Sequence, residues 1–235
     1  VDTVPENLLK MYIQFNKPIQ QSKATLDFIK VYNQTTEKEV SIFLPLENEL
    51  WNREKTRLTL WLDPGRIKQD LIPNNELGKP IIERNTYKIT IDKTLEDQQG
   101  NKIKVDFEKV IFVSKRDTQK PTIDNWKIRV PKINTKQSLK IDFNEAVDVV
   151  LANEVFQIFD SNNKLVTGEY LVSKDADYLF FTPNNQWAKG VYLIQIESRF
   201  EDLAGNNLNR LFDTDLENRG EVDTLKTKEL FFTVQ

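Results

Sequence analysis

Leu95-Glu96-Asp97-Gln98-Gln99-Gly100-Asn101 returns further along the chain as Phe200-Glu201-Asp202-Leu203-Ala204-Gly205-Asn206, and this pair of stretches decides how the rest is read. The same order of signals surrounds each. Ile13-Gln14-Phe15-Asn16 matches Ile141-Asp142-Phe143-Asn144, and Leu60-Trp61-Leu62-Asp63-Pro64 is aligned with Leu179-Phe180-Phe181-Thr182-Pro183. Tyr87-Lys88-Ile89-Thr90-Ile91 then matches Tyr192-Leu193-Ile194-Gln195-Ile196. Four signals recurring in one order predict two tandem copies of one small β domain.

Local patterns agree with that division. Met11, Ile13 and Phe15 alternate with polar residues and so share one face of a strand, as do Leu139, Ile141 and Phe143. Further strand-like runs are Leu26–Tyr32, Val40–Leu44, Arg57–Leu62, Tyr87–Ile91 and Val105–Val113, then Val155–Phe159, Glu169–Val172, Tyr178–Thr182, Val191–Ile196 and Leu230–Val234. Many short strands spaced by turn residues predict an antiparallel sandwich for each copy. In Gly100-Asn101 and Gly205-Asn206, residues that tolerate positive φ follow an Asp whose carboxylate accepts backbone N–H groups across a tight loop. Asp160-Ser161-Asn162-Asn163 reads as a hairpin turn. The boundary is expected in the polar stretch Ser114–Pro121, giving domains 1–116 and 117–235 joined by a short, stiff connection.

Composition bounds the chemistry. The 235 residues contain neither Cys nor His, which removes thiol nucleophiles, the usual zinc ligand sets, Ser-His-Asp triads and imidazole acid–base catalysis. No apolar run approaches the ~20 residues a spanning helix needs. The net charge of −3 divides into +2 for residues 1–120 and −5 for the remainder, and neither half has the basic excess of a nucleic-acid binder. The chain starts at Val1 with no charged and apolar leader pattern, so a mature or shortened chain is expected.

At these residues the chain resembles the bacterial Ig-like domains found in tandem in surface-layer proteins and adhesins. The second copy carries the family pattern as Phe143-Asn144-Glu145-Ala146-Val147, Thr182-Pro183, Gly190-Val191-Tyr192-Leu193-Ile194 and Asp202-Leu203-Ala204-Gly205-Asn206. The first copy departs from it at Asn85-Thr86-Tyr87, where the glycine two positions before the tyrosine is missing. The resemblance implies an immunoglobulin-like all-β fold, a cell-envelope or secreted location and no catalytic residues or cofactors. It places Tyr87 and Tyr192 as tyrosine corners.

Specialised function is sought where the copies diverge. From Pro64 to Tyr87 the first copy has 14 more residues than the second has from Pro183 to Tyr192, giving a long inserted loop at 65–86. Long loops on a rigid sandwich are usual sites of recognition. Arg66, Lys68 and Asp70 are the candidates there for charge-assisted bonds to a partner. The competing reading is that Ile67, Leu71, Ile72, Leu77 and Ile82 tuck the loop over the sandwich. Glu47–Lys55 is also longer than its counterpart, and for its Trp51 core packing is favoured over a role as a partial anchor. The aromatic residues Trp126, Phe180 and Phe181 are read as core, whereas Trp187, after Pro183-Asn184-Asn185-Gln186, is the candidate exposed aromatic. The acidic stretch Phe212–Asp223 invites a calcium reading, against which a solvated hairpin is weighed.

Three functions are compared. The leading one is a non-catalytic binding or spacer module whose partner is a protein or glycan of the cell envelope, acting as a monomer. A self-assembling surface protein joined through strand edges is the alternative. A glycosidase using Glu96/Asp97 or Glu201/Asp202 is the third, and it is disfavoured because both pairs lie in the repeated turn, where Asp has a capping role.

Overall fold

The computed structural model describes residues 2–21, 24–69, 71–213 and 224–235. The chain divides into two compact units, Val1–Asp117 and Thr118–Gln235. Both are all-β, with strands in several mainly antiparallel sheets, and the fold class is that of the β-sandwich.

In the first unit, β1 (Asp2–Pro5), β3 (Ile29–Asn33), β4 (Lys38–Glu39), β7 (Thr86–Ile91) and β8 (Phe107–Ser114) form one sheet in the order β1-β8-β7-β3-β4. A second sheet, β2-β6-β5, is built from β2 (Lys10–Gln14), β5 (Leu50–Trp51) and β6 (Arg57–Trp61). Alternation sends one side of each central strand into the core. On β7, Tyr87, Ile89 and Ile91 are buried; on β6, Leu58 and Leu60 are. A fully buried Leu such as Leu58 contributes about 2 kcal/mol by removal from water. One pairing is unlike the rest, because β1 lies parallel to β8 with Asp2 opposite Ile111 and Pro5 opposite Ser114.

Two of the expected strands differ. Leu26–Tyr32 opens as a 3-10 turn over Thr25–Phe28, where the Glu49 carboxylate accepts the Leu26 N–H, and only then becomes β3. Val40–Leu44 forms no continuous strand. Its Val40 N–H bonds Val31 in one sheet and its Leu44 N–H bonds Trp61 in the other, so this apolar run carries the chain across the sandwich.

The second unit pairs β12 (Gly168–Val172), β13 (Tyr178–Pro183), β10 (Leu139–Asp142) and β9 (Lys127–Arg129) in that order. Its other sheet runs β11 (Phe156–Phe159), β14 (Gly190–Glu197), β15 (Thr227–Val234). The core between them includes Leu139, Ile141, Phe143, Leu179, Phe181, Trp187, Ile194, Phe200 and Val234.

The same unusual hydrogen bonds recur in the two units. Ile19 N–H donates to Lys55 O as Val147 N–H does to Ala176 O, and Lys55 and Ala176 share positive φ, 57° and 60°. Gln20 N–H donates to Glu96 O as Asp148 N–H does to Glu201 O, and Ile19 bridges Asp97 as Val147 bridges Asp202. Strand register corrects one alignment. Ile13 faces Leu58 and Ile141 faces Leu179, so Leu58, not Leu60, corresponds to Leu179, and Leu62 to Pro183. Measured from Leu62, the insert before Tyr87 is 16 residues longer than its counterpart rather than 14.

Candidate functional site

The repeated turns account for the aspartates of the two carboxylate pairs that first suggest catalysis. Asp97 Oδ1 accepts the N–H of Gln99 and of Asn101, both at 2.9 Å, and Asp202 Oδ1 accepts those of Ala204 at 2.7 Å and Asn206 at 3.0 Å. Gly100 and Gly205 adopt the same φ of 79°, a conformation that costs a residue with a Cβ. The backbone N–H of Asn101, followed by its side-chain amide, holds the Asp97 carboxyl below the usual carboxylate range. These groups close their own loops, which is the capping role the sequence assigns them.

Both tyrosine corners are present. Tyr87 Oη accepts the Ile82 N–H at 3.0 Å, and Tyr192 Oη donates to Ala188 O at 3.1 Å while accepting the Ala188 N–H. Burial is the main cause that raises the Tyr87 phenol above its ordinary pKa.

The insert is structured. Asp63 Oδ1 caps α1 (Pro64–Ile67) by accepting the Gly65 N–H, and a second short helix, α2 (Ile72–Leu77), follows. Arg66, expected to reach a partner, instead donates to three carbonyls of its own unit: Nε to Gly78 at 2.8 Å, Nη1 to Ser41 at 2.8 Å and Nη2 to Lys79 at 2.9 Å. Its fork staples the insert to the sandwich. Lys68 is half-buried, and Asp70 lies outside the described residues. Of the apolar residues expected to tuck in, only Ile67 does; Leu71, Ile72, Leu77 and Ile82 are exposed, while Ile81 is fully buried.

Trp187 corrects the expectation of an exposed aromatic. It is 2% exposed, donates Nε1–H to Gln137 O at 2.8 Å, and packs edge-on to Tyr192 and Phe232. Local sequence around it is loop-like, but residues of β14 and β15 close over it. Trp126 and Phe181 are core as read, and Phe180 is half-buried with the Lys140 ammonium nearby. Trp51 is half-buried, its ring 5.8 Å from that of Phe15 and its Nε1–H on Glu49. Most of the acidic stretch Phe212–Asp223, residues 214–223, lies outside the described residues.

An opening that sequence reading misses lies in the first unit, between the end of β2 and the segment 101–108. It is an apolar cleft of about 900 Å³ lined by Phe15, Ile19, Ile91, Ile103, Val105 and Phe107, with Lys102 and Lys104 among its polar members. Val105 and Phe107 are 72% and 55% exposed, which is the kind of surface that marks interaction sites. The available signal was the apolar Val105-Asp106-Phe107 run, read only as the start of a strand.

Residues 117–216 match the family model described as the bacterial Ig-like domain. No curated protein matches the sequence. Among solved structures, the chain is similar to native alpha-2-macroglobulin from Escherichia coli spanning domains MG0-NIE-MG1, at 12% identity and TM-score 0.30, covering 96% of this chain and 66% of that one. It is also similar to the N-terminal part of the bacterial S-layer protein SbsC, at 10% identity and TM-score 0.32, covering 100% of this chain and 42% of that one. A longer SbsC structure, rSbsC(31-844), aligns at 10% identity and TM-score 0.33 over 82% of this chain and 22% of that one. The chain thus spans less than two thirds of each of these structures.

Proposed function

We propose that the chain is a non-catalytic module of a bacterial cell-envelope or secreted protein, made of two Ig-like domains in series that descend from one duplicated sandwich. The observation that carries this reading is the spending of Asp97 and Asp202 on their own turns, in the same way in both units. The family match of residues 117–216 supports an Ig-like scaffold, whose function resides in surfaces presented by the sandwich. Among the described residues no helix is long and apolar enough to cross a membrane. The partner is a protein or glycan of the envelope, and the module binds it or holds neighbouring domains apart.

The test combines a hydrolase screen with binding of the whole chain to cell-wall glycan fragments and envelope-protein extracts, and protease shaving of intact cells. Envelope binding or surface accessibility without turnover is expected. Reproducible hydrolysis abolished by Asp97→Asn or Asp202→Asn would overturn the reading. Binding unchanged in Lys68→Ala would remove the insert as the recognition element.

Self-assembly is a second reading, favoured by the eight-residue edge strand β15, whose Phe231 is 63% exposed. Light scattering over a concentration series separates the two, with a constant monomer mass expected for the binding module.

A further inference from the structure

The two units part company at one place where their frames otherwise agree. In the second, β9 lies antiparallel to β10, and Trp126, immediately before it, inserts its ring among Phe143, Phe200 and Phe156 at centroid distances of 4.9, 5.2 and 6.0 Å. In the first, β2 ends its sheet, and among the described residues no strand pairs with its outer side; β1 is engaged with β8 instead. The cleft occupies the corresponding position. Its Phe15, Ile19, Ile91 and Ile103 correspond to Phe143, Val147, Ile196 and Leu208 through shared register, bridges and turn bonds, with Ile103 N–H donating to Leu95 O as Leu208 N–H does to Phe200 O. All four counterparts are buried in the cluster that holds Trp126.

We infer that the cleft of the first unit is a docking site for an extended segment of another polypeptide, bearing an aromatic anchor flanked by acidic residues, which adds beside β2 as β9 adds beside β10. The second unit displays the occupant's form: a short strand led by a large ring. It also shows what is selected. Buried Trp126 Nε1–H finds no acceptor among the described residues, so the ring rather than the donor is recognised, and Phe suits the site as well as Trp. The charge preference comes from the rim. Lys17 pairs with Asp97 and Glu108 with Lys88, which leaves Lys102 and Lys104, without an ion pair among the described residues, against the single charge of Asp106, whose carboxylate accepts the Lys93 N–H, so the lip is net positive by one. An incoming carboxylate meets these two cations at the edge of a desolvated apolar floor.

The inference rests on the reading of the chain as a binding module, and its test is separate from the hydrolase screen. Fluorescence anisotropy of labelled peptides is measured against the whole chain. The parent peptide has the sequence of residues 121–131, Pro-Thr-Ile-Asp-Asn-Trp-Lys-Ile-Arg-Val-Pro, and a second carries Glu at the two positions taken from Lys127 and Arg129. The acidic peptide is expected to bind about five-fold more tightly than the parent. Replacing its Trp by Ala weakens binding about thirty-fold, and by Phe hardly at all. Val105→Asp and Lys104→Glu in the chain, both at the cleft lip, weaken binding about ten-fold. Leu171→Asp, on an exposed strand position of the second unit, leaves it unchanged, and thermal melts verify that each variant is folded. Equal binding by the Trp→Ala peptide, or equal loss with Leu171→Asp, overturns the proposal. A dimer of the chain that Val105→Asp dissolves also overturns it, by assigning the cleft to a second copy. A chain that binds no peptide yet lacks turnover refutes this inference alone, whereas turnover refutes the non-catalytic reading.

Discussion

The Trp187 indole N–H donates to the carbonyl of Gln137 at 2.8 Å, tying a loop before β14 to the chain just ahead of β10. Because the ring is buried as well, Trp187→Ala removes both a filled volume and a satisfied polar group. Loss of about 3–5 kcal/mol is expected in the second unit, read by chemical denaturation. Trp187→Phe keeps most of the volume and loses less. An Ala variant as stable as the parent would contradict the assignment of Trp187 to the core.

Asp202 is buried and holds two backbone N–H groups of its turn. Asp202→Ala leaves those donors unsatisfied and costs about 1–3 kcal/mol, with Asp202→Asn costing less because one acceptor oxygen remains. Both are measured by urea unfolding.

The Asp97 carboxyl has a pKa below its ordinary 3.8, chiefly through the Asn101 N–H. Its contribution is therefore complete above the unfolded-state value and disappears as pH falls through it towards the lower folded-state value. Melting of the first unit is expected to drop in that acid window, and the drop shrinks in Asp97→Asn. An acid limb of the same size in the variant would refute the assignment.

Gly168 begins β12 opposite Pro183, and a Cβ there would lie 2.4 Å from Thr182 O and 2.6 Å from the Phe181 ring. Backbone and a packed core ring must both shift, so Gly168→Ala is expected to destabilise by about 1–3 kcal/mol. Thermal unfolding checks this. Gly78→Ala, where added atoms meet open space but φ is +69°, isolates the strain of the left-handed conformation alone.

Burial raises the Tyr170 phenol well above 10.0, and Tyr87 moves the same way. A group whose folded-state pKa is raised gives stability that is full below the unfolded value of about 10 and is lost as pH climbs past it. Alkaline titration by phenolate absorbance is expected to show a late-titrating class, and melting temperature to decline above that pH. Six tyrosines titrating together at the ordinary value would exclude it.

Local chemistry was legible in the sequence, and its partnerships over distance were not. The Asp-x-x-Gly-Asn turns and both tyrosine corners lie where their residues imply, since each is closed by bonds spanning only a few positions. Trp187 was misread because its loop residues are polar while its neighbours Tyr192 and Phe232 belong to strands that close over it. The slip of two residues between Leu60 and Leu179 has a similar origin. A proline at or near the end of each strand suggests the wrong alignment, and only pairing with Ile13 and Ile141 fixes the register. The cleft beside Phe15 is not legible from sequence because it is defined by a strand that pairs with β10 in one unit and has no counterpart on β2 among the described residues of the other.

The parallel union of β1 with β8 governs how the first unit carries mechanical load. Tension applied at Asp2 and Ser114 drags these neighbouring strands in opposite directions along their length, so the rungs from Asp2–Ile111 to Pro5–Ser114 are stressed together instead of peeling one after another. The second unit pairs its first strand, β9, antiparallel with β10 rather than with β15, and has no such clamp among its described residues. Single-molecule stretching of each unit by its ends is therefore expected to open the first at the higher force, and equal forces would show that the β1–β8 rungs bear none of the load.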